Sequence, residues 1–546
     1  MQVLPAHHVH NWLRHSAQRA EALTDVRIWM LAAVTGVLAA YGVIAFSMAI
    51  EFITEASYGT GSESLAQGAR ELEPLRAFMV PTLGGVLVAA MLWLSRKLDY
   101  IPDLRCQGVA EVIEARARPP GSISLRGGLI NTAVCATALG TGGSAGREGP
   151  AVLLGGAISV FLSKQFGLSA KDSRTLLGCA AAAAVSAAFN APIAGVLFAL
   201  EVVLSNYALS IFAPIALSSI IAALISRGHL GDLHRFVIPD YGGATSIDLV
   251  LGSSLGLVCG LVSVLFLMSA ASGRSITRQV VARFKIDMAV LPVFAGLAMG
   301  LVAIAFPEVL GVGYEATTEA LEGHYTLRLL TIFLLVKMAV TVLCLSCRFG
   351  TGVFSGGIYL GAMAGAGFGI VMNLAFPGLV TEPTFYAMIG MGAVSGAIIG
   401  APISTTLIVF ELTGDYTITA ALMIAVGMAT VLTQIFFGSS WFHYQLNQRG
   451  YDLSEGPQGV ILQTIRVRDV MRPVPESAMP LEEGAARLSQ NQTLGEALAD
   501  MNQLGLDAMP VTASKGEDKL LGTITQVRAL RTYNKALVDS HIEHHR

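Results

Sequence analysis

The sequence predicts an all-α polytopic membrane protein, built as an inverted repeat of tilted and broken helices and followed by a small C-terminal α/β domain. Three observations support this fold class. Hydrophobic residues fill 53% of the 546 positions and charged residues only 13%, which is not the balance of an ordinary water-soluble protein. The charged residues are unevenly placed, with 23 in the last 96 positions and 50 in the 450 before them. Short motifs also recur in the same order in two parts of the apolar body.

Charge-free runs long enough to cross a bilayer recur along the body. A spanning helix needs about 20 such residues. The runs cover residues 28–50, 77–95, 127–146, 175–200, 202–226, 249–273, 288–307, 349–381, 383–410 and 416–448. Several exceed one span and are interrupted by Gly and Pro, which predicts broken helices that meet inside the membrane. Irregular backbone at that depth must line a cavity or be buried in protein.

The internal repeat is clearest around two Ala-Pro-Ile tripeptides. One begins at Ala191 and is followed ten residues later by Glu201, and the other begins at Ala401 and is followed at the same interval by Glu411. Both glutamates allow two interpretations, a buried and hydrogen-bonded helix carboxylate or a group that handles the ion directly. The first is favoured.

A second match pairs the glycine-rich residues 146–150 with residues 352–356. Two matches in one order predict two related halves. We therefore divide the chain into a cytoplasmic segment 1–24, a transmembrane domain 25–450 with halves at about 25–227 and 249–450, and a cytoplasmic domain 460–540. Halves of this kind with interrupted helices are typical of channels and secondary transporters.

The glycine-dense loop of residues 139–150 carries the chemistry of the first half. Pro150 can occupy the first turn of a helix, so unpaired N–H groups and a positive helix end lie beside the loop, and such an end attracts anions. The Gly-Lys-Ser/Thr ending of a nucleotide-phosphate loop is absent. Glu148 is either a tethered competitor for a permeating anion or a helix cap paired with Arg147, and the residues leave both open.

Residues 349–359 supply the equivalent loop and helix start in the second half. Two positive helix ends that face one place would bind an anion without a full positive charge. Partial charges also release an anion more readily than Lys or Arg would. The sequence thus predicts an anion-conducting site where the two loops converge.

Other classes of function fit less well. A net charge of −3 and a pI near 6.4 give no electrostatic basis for binding nucleic acid. A membrane-embedded enzyme would need clustered His, Asp or metal ligands in the spans, and neither His443 nor the pair Cys344 and Cys347 supplies them. A divalent-cation channel would need an acidic ring. We predict no enzyme activity, no metal and no cofactor.

At these residues the chain resembles the CLC family of chloride channels and proton-coupled chloride exchangers, over residues 28–450. The motifs that carry the resemblance are residues 146–150, 189–198 with Glu201, 352–354, 401–402 and 410–416. The resemblance implies a homodimer with one pore per subunit, in contact with membrane lipid. It also implies that Glu148 is the gating glutamate, which blocks the outer end of the pore until it is protonated or displaced. The anion-binding positions implied are Gln107, Gly108, Gly146, Arg147, Gly149, Val353, Phe354 and Phe442.

The chain departs from the family pattern at three positions, two of them in this set. Gln107 replaces the chloride-coordinating serine, which puts the preference for chloride over nitrate, bromide or fluoride in question. The inner-gate tyrosine falls on Phe442, which keeps the aromatic ring but loses the hydroxyl. Gly356 stands where the family usually has a proline.

Val202 occupies the proton-relay position that follows Glu201. The family's exchangers have a second glutamate there, and a valine cannot carry a proton. This favours a chloride channel of the inner cell membrane, with both termini cytoplasmic, over a chloride/proton antiporter. The antiporter remains the alternative.

The tail resembles a single CBS module. Its motifs are residues 467–471, 493–498, 509–511 and 521–525, and they alternate between helix and strand patterns. Such modules normally work in pairs, so the second copy is expected from the other subunit. Arg528 stands where nucleotide-binding modules often have an acidic residue. A scaffold role is therefore expected, with nucleotide binding as the alternative.

Overall fold

The computed structural model describes residues 6–101, 108–117, 123–231, 246–450, 462, 465–473, 486–513 and 520–545. The chain forms two compact units. The larger unit comprises Met1–Ile113, Pro120–Ser205 and Ile211–Trp441, and the smaller comprises Glu114–Pro119, Asn206–Ser210 and Phe442–Arg546.

The first half of the membrane domain consists of helices of very different length. They are α1 (Ala6–Tyr58), α2 (Leu65–Glu71), α3 (Pro74–Lys97), α4 (Val109–Ala117), α5 (Leu125–Gly140), α6 (Glu148–Gln165), α7 (Ala170–Phe189), α8 (Pro192–Phe198) with a π-helical continuation (Ala199–Leu204), and α9 (Leu209–Leu230).

The second half follows the same plan. Its helices are α10 (Ser246–Phe284), α11 (Leu291–Ala305), α12 (Tyr314–Leu321), α13 (Leu327–Ser346), α14 (Phe354–Ala375), α15 (Pro383–Ile399), α16 (Pro402–Thr413), α17 (Tyr416–Phe437) and α18 (Trp441–Asn447).

Eight helices in the described residues are long and apolar enough to cross a membrane. They are Val26–Tyr58, Pro74–Lys97, Leu209–Leu230, Ile247–Phe284, Met288–Ala305, Leu327–Ser346, Phe354–Ala375 and Tyr416–Asn447. Large apolar side chains on these helices are well exposed, for example Phe52 at 72% and Ile435 at 69%. An exposed apolar surface of this size is typical of helices that lie within a membrane. The chain is a multi-span membrane protein, as the charge-free runs predict.

The helix breaks are built in the same way in both halves. Helix α7 ends at Phe189 and is followed by Asn190, whose backbone is left-handed with φ 57°, and α8 begins at Pro192. In the second half α15 ends at Ile399 and is followed by the left-handed Gly400, φ 72°, and α16 begins at Pro402. A left-handed residue ends a helix, and a proline fits the first turn of the next. The matching breaks are the structural form of the sequence repeat.

Close helix packing holds the second half together at α14 and α15. A Cβ atom placed on Gly361 would lie 2.1 Å from the carbonyl oxygen of Gly390. Only glycine permits this approach, which is the usual role of small residues between membrane helices.

The tail is a small α/β domain, as predicted. Its elements are α19 (Val467–Val470), β1 (Arg472–Pro473), β2 (Leu488–Ser489), α20 (Leu494–Leu504), β3 (Ala508–Thr512), β4 (Leu520–Thr525) and α21 (Gln526–His545). The sheet order is β1-β4-β3-β2, with β2 and β3 parallel and the other pairs antiparallel. A capping box of Thr493 and Glu496 begins α20. The core includes Leu494, Val511 and Ile524.

Candidate functional site

The two glycine-rich loops of the repeat meet. The backbone N–H of Gly146 donates to the carbonyl oxygen of Gly352 at 2.8 Å, in an isolated antiparallel bridge. A Cβ atom on Gly352 would lie 2.2 Å from the carbonyl oxygen of Gly146. Only glycine at position 352 therefore allows the two halves to approach so closely.

Two helix N-termini converge at this bridge, because α6 begins at Glu148 and α14 begins at Phe354. In the described chain, neither N-cap side chain, Arg147 or Val353, hydrogen-bonds to the start of its helix. The first N–H groups of a helix have no partner within the helix and carry its positive partial charge. The junction is therefore suited to a negatively charged group.

The carboxylate of Glu148 lies at this junction. The residue is 5% exposed, and the hydroxyl of Ser355, on α14, donates to its Oε1. Its Oε2 is buried with no hydrogen-bond partner in the described residues. A carboxylate of the first half thus rests on the helix start of the second half, in a place where a free anion could equally be held.

Aromatic and aliphatic side chains enclose the junction. Phe354 packs edge-to-face on Phe189, with ring centroids 5.2 Å apart and an interplanar angle of 71°. Val353 is also buried. Apolar walls lower the local dielectric and so strengthen the interaction of helix ends with an anion.

Arg147 does not form an ion pair with Glu148 in the described structure. Its guanidinium lies over the ring of Tyr314, 5.2 Å from the centroid, and its Nε and Nη2 are buried without a hydrogen-bond partner among the described residues. The simple pairing of these neighbours, one of the two interpretations left open by the sequence, is not the arrangement found. Glu148 is bonded to Ser355 instead.

Gly108 and Gly149 lie against each other beside the bridge. A Cβ atom on Gly108 would lie 3.8 Å from Cα of Gly149, and one on Gly149 would lie 3.5 Å from Cα of Gly352. The N–H of Gly108 donates to Glu111 Oε2 at 2.5 Å. The structure therefore brings Gly108 to the first loop at Gly149, whereas Gln107 lies outside the described residues.

Phe442 and Val202 are both buried. Phe442 is 7% exposed on α18 and belongs to the smaller unit. Val202 is also buried at 7%, in the π-helical continuation of α8.

The glutamates of the repeat are hydrogen-bonded carboxylates, which is the interpretation that the sequence favoured. Each accepts backbone N–H groups at the start of a helix in the opposite half. The contacts are Ile403 N to Glu201 Oε1 at 3.1 Å, Ser404 N to Glu201 Oε2 at 2.8 Å, Ile193 N to Glu411 Oε1 at 3.0 Å and Ala194 N to Glu411 Oε2 at 2.7 Å.

Three residues near the junction were not singled out by the sequence: Ser355, Phe189 and Tyr314. Ser355 had a usable signal, because it is a hydroxyl within the repeated loop, directly after Phe354. Phe189 is the first residue of the motif 189–198, but nothing in that motif indicates a contact with Phe354. The contact of Tyr314 with Arg147 depends on tertiary packing and leaves no local signal.

One group of possible metal ligands occurs in the described residues, at the end of α12 and just after it. Glu319, Glu322 and His324 are half-buried or exposed. His324 Nδ1 is 2.7 Å from Glu319 Oε2 and 3.4 Å from Glu322 Oε2. Exposed acidic groups of this kind are common in proteins, and the cluster carries no proposal.

The fold and the opposed helix ends define a polytopic membrane protein of the anion-transporting class. Residues 84–434 match the family model described as voltage gated chloride channel. The chain belongs to this family, which is the CLC family that its sequence motifs resemble.

Named relatives agree with this assignment. The chain is 30% identical to a putative chloride channel protein ClcB-like of Ralstonia nicotianae, over 66% of this chain and 83% of that protein. It is 28% identical to the H(+)/Cl(-) exchange transporter ClcA of Vibrio parahaemolyticus, over 78% of this chain and 90% of that protein. It is also 31% identical to chloride channel protein CLC-e of Arabidopsis thaliana, over 74% of this chain, but it spans only 59% of that protein's length.

A solved structure shares the fold. The crystal structure of a slow cyanobacterial chloride/proton antiporter superimposes with a TM-score of 0.68 at 21% sequence identity, over 78% of this chain and 98% of that one. At this identity the likeness concerns the fold alone.

Proposed function

We propose that the protein conducts chloride or a similar small anion across the membrane through the junction of α6 and α14, with Glu148 as its gate. The observation that carries the proposal is the hydrogen bond from Ser355 to Glu148 across the two halves. A tethered carboxylate occupies the place that the helix ends suit for an anion. It must therefore leave that place before an anion can pass.

The gate would open when the helix ends no longer bind the carboxylate of Glu148 more strongly than they bind a free anion. Protonation removes the charge of Glu148, and the positive helix ends then hold it only weakly. An anion can next compete for the backbone N–H groups and for the hydroxyl of Ser355. Because these donors carry partial charges, the anion is released again without a large barrier.

The proposed anion-binding set is the one that the family pattern implies, and the contacts at the junction support part of it. The set is Gln107, Gly108, Gly146, Arg147, Gly149, Val353, Phe354 and Phe442. Gly146 and Gly352 set the spacing of the loops, and Arg147 offers two buried donors beside the gate. Gln107 would present an amide donor to the anion in place of a smaller hydroxyl.

Passive conduction is favoured over exchange by Val202. A proton route that enters from the inner side needs a titratable group at that position, and the buried valine has none. The neighbouring Glu201 is bonded to two backbone N–H groups of α16. A carboxylate so engaged is poorly placed to pass a proton on.

A chloride/proton antiporter is the second candidate. The specific observation in its favour is that relatives such as ClcA of Vibrio parahaemolyticus carry the name of an H(+)/Cl(-) exchange transporter. In this case another group, or water, would replace the missing carboxylate at position 202.

The assembly and location follow the same proposal. The protein would be a homodimer with one pore per subunit, embedded in the lipid of the inner membrane with both termini cytoplasmic. The tail, a single CBS-like domain at residues 460–540, would pair with its copy in the partner subunit and act as a scaffold. Binding of a nucleotide there is the less favoured alternative.

Reconstituted liposomes test the proposal directly. Purified protein is placed in vesicles loaded with chloride, and external chloride and pH are recorded together after the potential is clamped. A channel gives chloride efflux without proton movement, and a fixed ratio of protons to chloride identifies the antiporter. The absence of any anion efflux would contradict both.

A further inference from the structure

Lys337 is a buried cation that the gating scheme does not use. It lies in the middle of the apolar helix α13 and is 0% exposed. In the described residues it forms no salt bridge. An unpaired charge within a membrane domain is costly and is usually kept for function.

The ammonium group is held by backbone oxygens and an aromatic ring. Its Nζ donates to the carbonyl oxygens of Val309 at 3.0 Å and Gly311 at 2.9 Å, and it lies 4.9 Å from the ring centroid of Tyr359. Lys337 therefore joins α13 to the segment after α11 and to α14.

The segment held by Lys337 is itself bonded to the loop that carries the gate. The N–H of Gly311 donates to the carbonyl oxygen of Gly142 at 3.3 Å, and Gly142 precedes the bridge at Gly146. The chain of contacts thus runs from the ammonium, through Gly311, to the glycine-rich loop that ends at Glu148.

Helix α13 contacts the same loops one turn further on. The hydroxyls of Thr341 and Ser144 are 3.0 Å apart, and a Cβ atom on Gly356 would lie 3.4 Å from Cγ2 of Thr341. Residues 337 and 341 occupy one face of the helix. That face therefore supports both glycine-rich loops.

The second link runs through α14. Tyr359, which receives the ammonium, and Ser355, which donates to Glu148, are four residues apart and so lie on one face of α14. The positive charge of Lys337 is thus placed one helical turn beyond the hydroxyl that holds the gate.

We propose that Lys337 is a positioning residue for the gate: its ammonium fixes the glycine-rich loop of residues 139–150 and supplies a positive charge, and both favour the closed, ionised state of Glu148. This inference rests on the proposed gating function. Removing the charge and its hydrogen bonds should loosen the loop and make protonated Glu148 more favourable.

Other charged or titratable groups must be considered in any pH profile. Those that face Lys337 or its segment are Tyr359, Cys344 and Glu308, of which Glu308 is paired with Arg70. Those that face Glu148 are Arg147 and Tyr314. They remain in place in the variants below, so a change in the profile reports on Lys337.

The test measures chloride efflux from liposomes between pH 4 and pH 8 for Lys337→Met, Glu148→Gln and the double variant. We expect Lys337→Met to move half-maximal efflux upward by less than about one pH unit, because Lys337 acts through the loop and from one helical turn away, and only a charge within about 4–6 Å shifts a carboxyl by more. The double variant should behave as Glu148→Gln alone, because Lys337 acts through the gate. An unchanged profile in folded Lys337→Met protein would overturn the inference.

Two further variants keep the inference open to refutation. Lys337→Arg retains the charge and should keep most of the original profile. If Lys337→Met does not elute as folded protein, Lys337→Gln removes the charge while keeping a side-chain donor near the carbonyl oxygens of Val309 and Gly311, and an unaltered profile there overturns the inference. If efflux through Glu148→Gln protein keeps its full pH dependence, the proposed gating function is contradicted. If Glu148→Gln removes the pH dependence but Lys337→Met leaves the profile unchanged, only the positioning role of Lys337 is contradicted.

Discussion

Glu201 and Glu411 cap each other's helices. Glu201, at the end of the α8 segment, accepts the N–H of Ser404 at 2.8 Å at the start of α16, and Glu411, on α16, accepts the N–H of Ala194 at 2.7 Å at the start of α8. Lipid cannot satisfy the free N–H groups of a helix start. The exchange of carboxylates solves this problem for both halves at once.

Glu201→Gln and Glu411→Gln should each destabilise the protein by a similar amount. A glutamine keeps one acceptor oxygen but loses the charge and the second acceptor, so the expected cost is about 1–3 kcal/mol. Thermal unfolding of the detergent-purified protein measures it. Glu382→Gln is the matched control, since this exposed glutamate makes no side-chain cap in the described chain. Equal Tm values for all three variants would refute the capping role.

Ser355→Ala should open the gate at higher pH. The substitution removes the hydroxyl that donates to Glu148, and a hydrogen bond to a charged group contributes about 1.5–3 kcal/mol. Efflux at neutral pH is therefore expected to rise about tenfold. Ser159→Ala serves as control, because Ser159 is equally buried on α6 but bonds to the carbonyl oxygen of Gly156 at 2.9 Å. No difference between the two variants would remove Ser355 from the gate.

Gln107→Ser should change anion selectivity. A hydroxyl is a smaller donor than an amide, so the preference for chloride over nitrate should increase. Efflux rates for chloride, nitrate, bromide and fluoride in matched vesicles give the ratios. If all ratios stay as in the original protein, Gln107 is not part of the filter.

Asp287 should stabilise the protein at neutral pH but not in acid. The Arg96 guanidinium, which bonds to the carboxyl at 2.7 Å, holds the pKa of Asp287 below its ordinary 3.8, and the N–H of Ala289 adds to this. A lowered pKa in the folded state gives stability that is present above 3.8 and is lost as the pH falls through the folded value.

The corresponding variant is Asp287→Asn. We expect a small drop in Tm at pH 7, since both partners are largely exposed and screened, and the drop should shrink as the pH falls below 3.8. A difference in Tm that stays constant with pH would show that the ion pair does not contribute in this way.

The sequence predicts those parts of the site that occupy equivalent positions in the two repeated halves. The matched loops predict that Gly146 and Gly352 occupy equivalent positions, and in the structure the two glycines are bonded to each other. The shared spacing from Ala191 to Glu201 and from Ala401 to Glu411 predicts bonded carboxylates. It does not indicate that each partner is in the other half, because the sequence contains no distance between halves.

Other contacts depend on packing alone. Ser355 is placed on Glu148 by the approach of two loops that are 207 residues apart. Lys337 is visible as the one cation in the middle of an apolar run, but its carbonyl partners follow a different helix. The roles of Gln107 and Phe442 stay predictions, since one lies outside the described residues and the other belongs to the smaller unit.

The most direct test of the gate is chloride efflux by Glu148→Gln protein across a range of pH. A glutamine cannot ionise, so it should imitate the protonated side chain and give high efflux that hardly varies with pH. Efflux that retains the original dependence on pH would contradict the claim that the carboxylate at position 148 closes the anion path.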